Sequence, residues 1–145
     1  MKFFFRNTLP FLILIVIFFS AFTGKVTTQV SFSVNASVSN NVNSGTFTSS
    51  GLVGSSGNYV ETYSFNGKKT HSEATFTFFN GTITAKTHSE ITISASTASG
   101  TGTWIIVRGT GAYTGIQGSG KLTLSVSNIG TSSESISQSW SGSIK

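Results

Sequence analysis

The chain has 145 residues with 9 Lys and Arg against 4 acidic residues, a formal net charge of +5, 16 glycines and no cysteine. The missing cysteine excludes a disulfide scaffold, a thiolate metal site and a cysteine nucleophile, and the complete lack of Asp excludes a Ser/His/Asp triad. From residue 25 onward seven scattered cations (Lys25, Lys68, Lys69, Lys86, Arg108, Lys121, Lys145) face four glutamates, a net +3 with no basic stripe, so nucleic acid is not an expected partner.

Lys2 and Arg6 form a short positive region ahead of residues 9–22, which are apolar apart from Pro10 and Ser20. This is the layout of a secretory signal peptide, and it is shorter than the roughly 20 apolar residues of a membrane helix. Residues 1–24 are therefore expected to be a leader cleaved near 21–24, and residues 25–145 a single domain that is secreted or held at the cell surface. Two sequons, at Asn35 and Asn80, are candidate glycosylation sites.

Residues 26–38 alternate with a period of two, placing Val30, Phe32, Val34 and Ala36 on one face of a long strand. A polar loop is expected at 40–45, a second strand at 46–53, a Gly/Ser turn at 54–58 and a third strand at 58–65. Asn66–Gly67 and Asn80–Gly81 have the form of two-residue hairpin turns, because both residue types tolerate positive φ. Residues 58–95 then read as a three-stranded meander. The Asn66–Gly67 turn pairs Glu61 with Ser72 and Tyr59 with Ala74. The Asn80–Gly81 turn pairs Phe79 with Thr82, Phe78 with Ile83, Phe76 with Ala85, Glu73 with His88 and His71 with Glu90. Further strands are expected at 101–108, 121–128 and 133–145, the last with Ile136, Trp140 and Ile144 on one face. No segment has a helical period. The prediction is an all-β, eight-stranded antiparallel β-barrel, since closure removes exposed edges, with a β-sandwich as the alternative. A membrane barrel is disfavoured by the lack of aromatic girdles at the strand ends.

The run Gly109-Thr-Gly-Ala-Tyr-Thr-Gly-Ile-Gln-Gly-Ser-Gly120 leads into an alternating strand rather than a helix, which excludes a phosphate loop. Its glycines suit turns, bulges and close backbone approach. With Gly102-Thr-Trp104 upstream, this run resembles the allene oxide cyclase and dirigent-like β-barrels, especially small secreted microbial members, over residues 100–126. The resemblance implies an eight-stranded barrel. Dirigent activity is associated with catalytic Asp residues, which this chain lacks, so that activity is not carried over.

Glu61 lies in phase with Tyr59 and Tyr63 on the aromatic face of the third strand, which Phe76 shares from the fourth. Tyr59, Glu61, Tyr63 and Phe76 are the candidate ligand-binding residues, and Glu61 is the one candidate catalytic group. The plainer reading places Glu61 near a barrel mouth, solvated or bonded to Tyr, Ser72 or Thr70. On the opposite face His71, Glu73, His88 and Glu90 are candidate metal ligands, or else two cross-strand pairs that help to fix register. No cofactor is expected, and oligomerisation is left open. The function expected is non-catalytic: binding of a small apolar ligand, or a cell-surface role. The alternatives are a cyclase or isomerase resembling allene oxide cyclase, with Glu61 and a Tyr as acid–base pair, and a filament subunit donating residues 26–38 as a strand.

Overall fold

The computed structural model describes residues 26–145. The expected leader at 1–24 lies outside the described residues. Eight strands follow in order: β1 (Thr28–Ser39), β2 (Val42–Ser50), β3 (Ser56–Phe65), β4 (Lys69–Phe78), β5 (Gly81–Ser94), β6 (Thr97–Gly109), β7 (Gly118–Ser127) and β8 (Ser135–Ile144). Each pairs antiparallel with its sequence neighbours, and β8 returns to β1, so the sheet is a closed barrel. A sandwich is thereby excluded. The polar loop expected at 40–45 is instead a tight turn at Asn40 and Asn41, both at positive φ, which pairs Ser39 with Val42 and moves Asn43 into β2.

Alternation assigns the faces correctly. Val30, Phe32, Val34 and Ala36 of β1, Tyr59 and Glu61 of β3, and Ala74, Phe76 and Phe78 of β4 are all buried inside. The register of the central meander differs from the prediction by two residues on each side of β4. Tyr59 pairs with Phe76 and Glu61 with Ala74, while Phe76 pairs with Ile83 and Phe78 with Gly81. A shift of two leaves every side chain on its own face, which is why the faces survive and the pairs do not.

Both corrections have local causes. Asn66 does not sit in a two-residue turn: its Oδ1 accepts the Lys69 amide at 2.9 Å and its own N–H donates to the Lys69 carbonyl at 3.1 Å, closing a longer loop around Gly67. At the other turn, Phe79 and Asn80 form the tip and Phe79 is 87% exposed. Here the β6–β7 connection packs onto the hairpin, with the Ala112 N–H donating to the Asn80 carbonyl at 3.0 Å. A Cβ on Gly81 would collide with the Thr110 carbonyl, so glycine is required beside that connection rather than at the tip. Tertiary contact overrides the turn propensity of Asn-Gly.

The interior has two levels. At the end bearing the β2–β3, β4–β5 and β6–β7 connections, aromatic rings fill the barrel. Phe76 is their hub, with ring centroids at 4.5 Å from Phe32 and 5.1 Å from each of Phe47, Tyr59 and Trp140. Tyr113, on a one-turn 3₁₀ helix at Gly111–Tyr113, plugs this end. It packs against Phe78 and its hydroxyl accepts the Gly54 N–H at 3.2 Å. The glycine run thus does what was expected of it, folding a connection back over the barrel floor and returning it into β7. Toward the hairpin-loop end the inward residues become smaller or aliphatic, among them Ser72, Thr87, Ser89, Leu122, Leu124 and Ile136, and space opens.

Candidate functional site

Glu61 sits at the boundary between these levels and is only 4% exposed, so the solvated rim position of the plainer reading is corrected, whereas its bonds to a Tyr and to Ser72 are present. A buried carboxylate needs hydrogen-bond donors, and four strands supply them. Its Oε2 accepts the Asn43 Nδ2–H of β2, the Tyr59 hydroxyl of β3 and the Gln138 Nε2–H of β8, each at 2.7 Å. Its Oε1 accepts the Ser72 hydroxyl of β4, and Ser72 is in turn 2.6 Å from the Thr87 hydroxyl of β5. Gln138 is oriented by its neighbour Trp140, whose indole N–H donates to Gln138 Oε1 at 2.8 Å. The Tyr59 hydroxyl also lies 2.9 Å from that oxygen, so its one proton serves two acceptors. Among the described residues no Lys, Arg or His side chain bonds Glu61.

Burial, then the adjacent Glu61 carboxylate, push the Tyr59 phenol well above its ordinary value. Tyr63 is raised as well, by burial first and then by Glu134 and Glu61. For Tyr59 the sign follows directly. The unfolded chain loses this proton near pH 10 while the fold keeps it, so the stability it contributes is present below about pH 10 and lost as pH rises beyond it. Chemical denaturation at about pH 8 and pH 11 should show a loss of stability in the native protein that is smaller in Tyr59→Phe. Equal losses in the two proteins would remove Tyr59 as the cause.

Above Glu61 lies a cavity of about 250 Å³ that opens between the β1–β2, β3–β4, β5–β6 and β7–β8 loops. Leu122, Leu124, Val126, Ile91, Ile136 and Tyr63 form much of its wall. Phe65 and Ile93, 43% and 50% exposed, stand at its rim. Glu61, Asn43, Thr87, Ser89 and Gln138 form its polar floor, and Glu134 lies at the mouth with its Oε2 accepting the Gly130 N–H at 2.9 Å.

Of the four expected ligand-binding residues, Glu61 and Tyr63 line this cavity. Tyr59 and Phe76 lie in the packed level beneath it. Asn43 and Gln138 escaped the sequence reading. Gln138 is in phase with Ile136 and Trp140, and that phase was the available signal; Asn43 was hidden by assigning its segment to a loop.

The four candidate metal ligands do not converge. His71 faces His88, their Nδ1 atoms 3.1 Å apart, in place of the expected His–Glu pairs. Glu73 is opposite Lys86, and Glu90 is opposite Lys69 with 3.9 Å between Oε1 and Nζ. Among the described residues no group of three or more His, Cys, Asp or Glu is placed to hold a metal ion. The two-residue register shift accounts for the change, since it exchanges each cross-strand partner without moving any side chain off the outer face. Of the sequons, Asn35 is exposed on the outer face of β1. Asn80 is half-buried at the hairpin tip, its amide oxygen covered and its carbonyl occupied by Ala112.

No family model, curated protein or solved structure matches the chain.

Proposed function

We propose that this is a secreted, non-catalytic barrel that holds a small apolar molecule in the open half of its interior. The observation that carries the reading is the divided core: one half is packed with aromatic rings, while the other keeps a cavity of about 250 Å³ with aliphatic walls and a fixed polar floor. Such a combination of apolar lining and a few converging polar groups is what small-molecule sites require. The space lies just below the roughly 300–1,000 Å³ of pockets for drug-sized ligands, which suits a compact molecule. The leader-like segment and the resemblance of residues 100–126 to allene oxide cyclase and dirigent-like barrels support the secreted assignment and the kinship in shape.

Toluene is a suitable first probe, because a ligand that binds only the folded state raises the melting temperature, the more so the further its concentration exceeds its dissociation constant. Saturating toluene should raise the melting temperature of the native protein and leave that of Leu124→Trp, whose indole fills the cavity, unchanged. Absence of any shift in the native protein would overturn the reading.

The Glu61 carboxylate on the cavity floor, held by the Tyr59 hydroxyl at 2.7 Å, favours a second reading, an isomerase or cyclase using Glu61 and a neighbouring Tyr as acid–base pair. Turnover of a bound epoxide or polyene that disappears in Glu61→Gln while binding persists would establish it over simple binding. The strand-donation reading is weighed differently: β1 is already hydrogen-bonded to β2 and β8 along both edges, so donating it would require opening the barrel.

A further inference from the structure

We propose that the cavity selects an apolar molecule bearing a protonated amine head, the head lying on the floor formed by Glu61, Asn43 and Ser89. This inference rests on the small-molecule reading above and specifies its ligand. Three observations carry it.

The first is a pair of unpartnered polar atoms, one of them an acceptor only. Asn43 and Ser89 are 2% and 1% exposed, yet Asn43 Oδ1 and Ser89 Oγ have no hydrogen-bond partner among the described residues, and both residues line the cavity. Asn43 Nδ2 is committed to Glu61, which fixes Oδ1 as the free end and makes it an acceptor only. Buried polar atoms left in this state are costly, and a ligand that bonds them removes that cost.

The second is charge. The cavity is lined by two of the chain's four glutamates, Glu61 on the floor and Glu134 at the mouth, and among the described residues by no Lys, Arg or His. A carboxylate-headed ligand would meet like charge at both ends and would have few donors to receive it. An ammonium brings three N–H donors and the opposite charge.

The third is shape. The aliphatic wall of Leu122, Leu124, Val126 and Ile136 rises from this floor toward the mouth, so a head bonded below leaves an apolar body against apolar side chains.

A matched series isolates the head from the body: octylamine, 1-octanol and sodium octanoate at about pH 7, with n-octane as the headless control, read by titration calorimetry and native mass spectrometry. Octylamine should bind roughly tenfold more tightly than 1-octanol and roughly a hundredfold more tightly than octanoate. Ser89→Ala removes an unpartnered hydroxyl and disturbs no bond of the fold. It should weaken octylamine several-fold and leave n-octane unchanged.

Octanol or octanoate binding within about threefold of octylamine would overturn the amine assignment, with the apolar cavity intact if n-octane still binds. Failure of all four probes would overturn the cavity reading itself and this inference with it.

Discussion

Replacing Glu61 with Ala should destabilise the barrel by roughly 3–5 kcal/mol, with a fall in melting temperature of roughly 10–20 °C. The size comes from the groups left behind rather than from the carboxylate alone. Asn43 Nδ2, the Tyr59 hydroxyl, the Ser72 hydroxyl and Gln138 Nε2 all point at this one side chain from four different strands. Each donor left unmatched inside a barrel is expensive.

Glu61→Gln is the informative companion. With its amide oxygen placed where Oε2 lies, it keeps the three donors gathered there. Its NH₂ then faces Ser72, whose hydroxyl can turn its own proton toward Thr87 at 2.6 Å. That variant should lose only about 1 kcal/mol. Thermal and denaturant melts of the two proteins check the contrast. Equal losses for Ala and Gln would mean that charge, not the gathering of donors, makes Glu61 important to the fold.

Gly120→Ala should cost about 3 kcal/mol, well above the usual effect of adding one methyl group. Gly120 of β7 is paired with Gly142 of β8 and lies opposite Trp104 of β6. A Cβ at Gly120 would meet the Ser141 carbonyl and come within 2.7 Å of the Gly142 Cα. Both obstacles are backbone, and no rotamer change relieves them, so the strands themselves must separate.

Gly115, five residues earlier in the same run, provides the control. Its φ is +78° and nothing lies within 4 Å of a Cβ there, so Gly115→Ala should cost only the left-handed strain of about 1 kcal/mol. Denaturant midpoints of the two variants separate the two roles of glycine in one short segment. A loss at Gly120 no larger than that at Gly115 would show that the β7–β8 seam tolerates expansion.

The sequence made some levels of this structure legible and hid others. Period-two alternation revealed which residues face inward, because burial of one face is written into every second position of a strand. It placed Glu61 inside for the same reason, between Tyr59 and Tyr63. Register was less accessible. Asn66–Gly67 and Asn80–Gly81 each advertise a tight turn locally, but the Asn66 side chain caps a longer loop, and the β6–β7 connection holds Gly81 beside Thr110. The donor set of Glu61 depended on register between four strands, which local patterns do not encode. The division of the interior was hidden for a related reason. Phe76 and Trp140 become one packed level, and Leu122, Leu124 and Ile136 the wall of a cavity, only once the stagger of the closed sheet sets their heights.

Closure of the barrel by its first and last strands also constrains how it comes into being. Until β8 has been made, β1 and β7 each present an unpaired edge, the aromatic level lacks Trp140 and the donors around Glu61 lack Gln138. No shorter N-terminal portion of the chain can complete any of these. Ordering of the barrel therefore waits for β8, and the decisive contacts join residues more than a hundred positions apart, such as Phe32 and Trp140. Contacts of that span make folding slow and leave open strand edges exposed in the interim, so the folding chain depends on being kept apart from its own copies until β8 arrives.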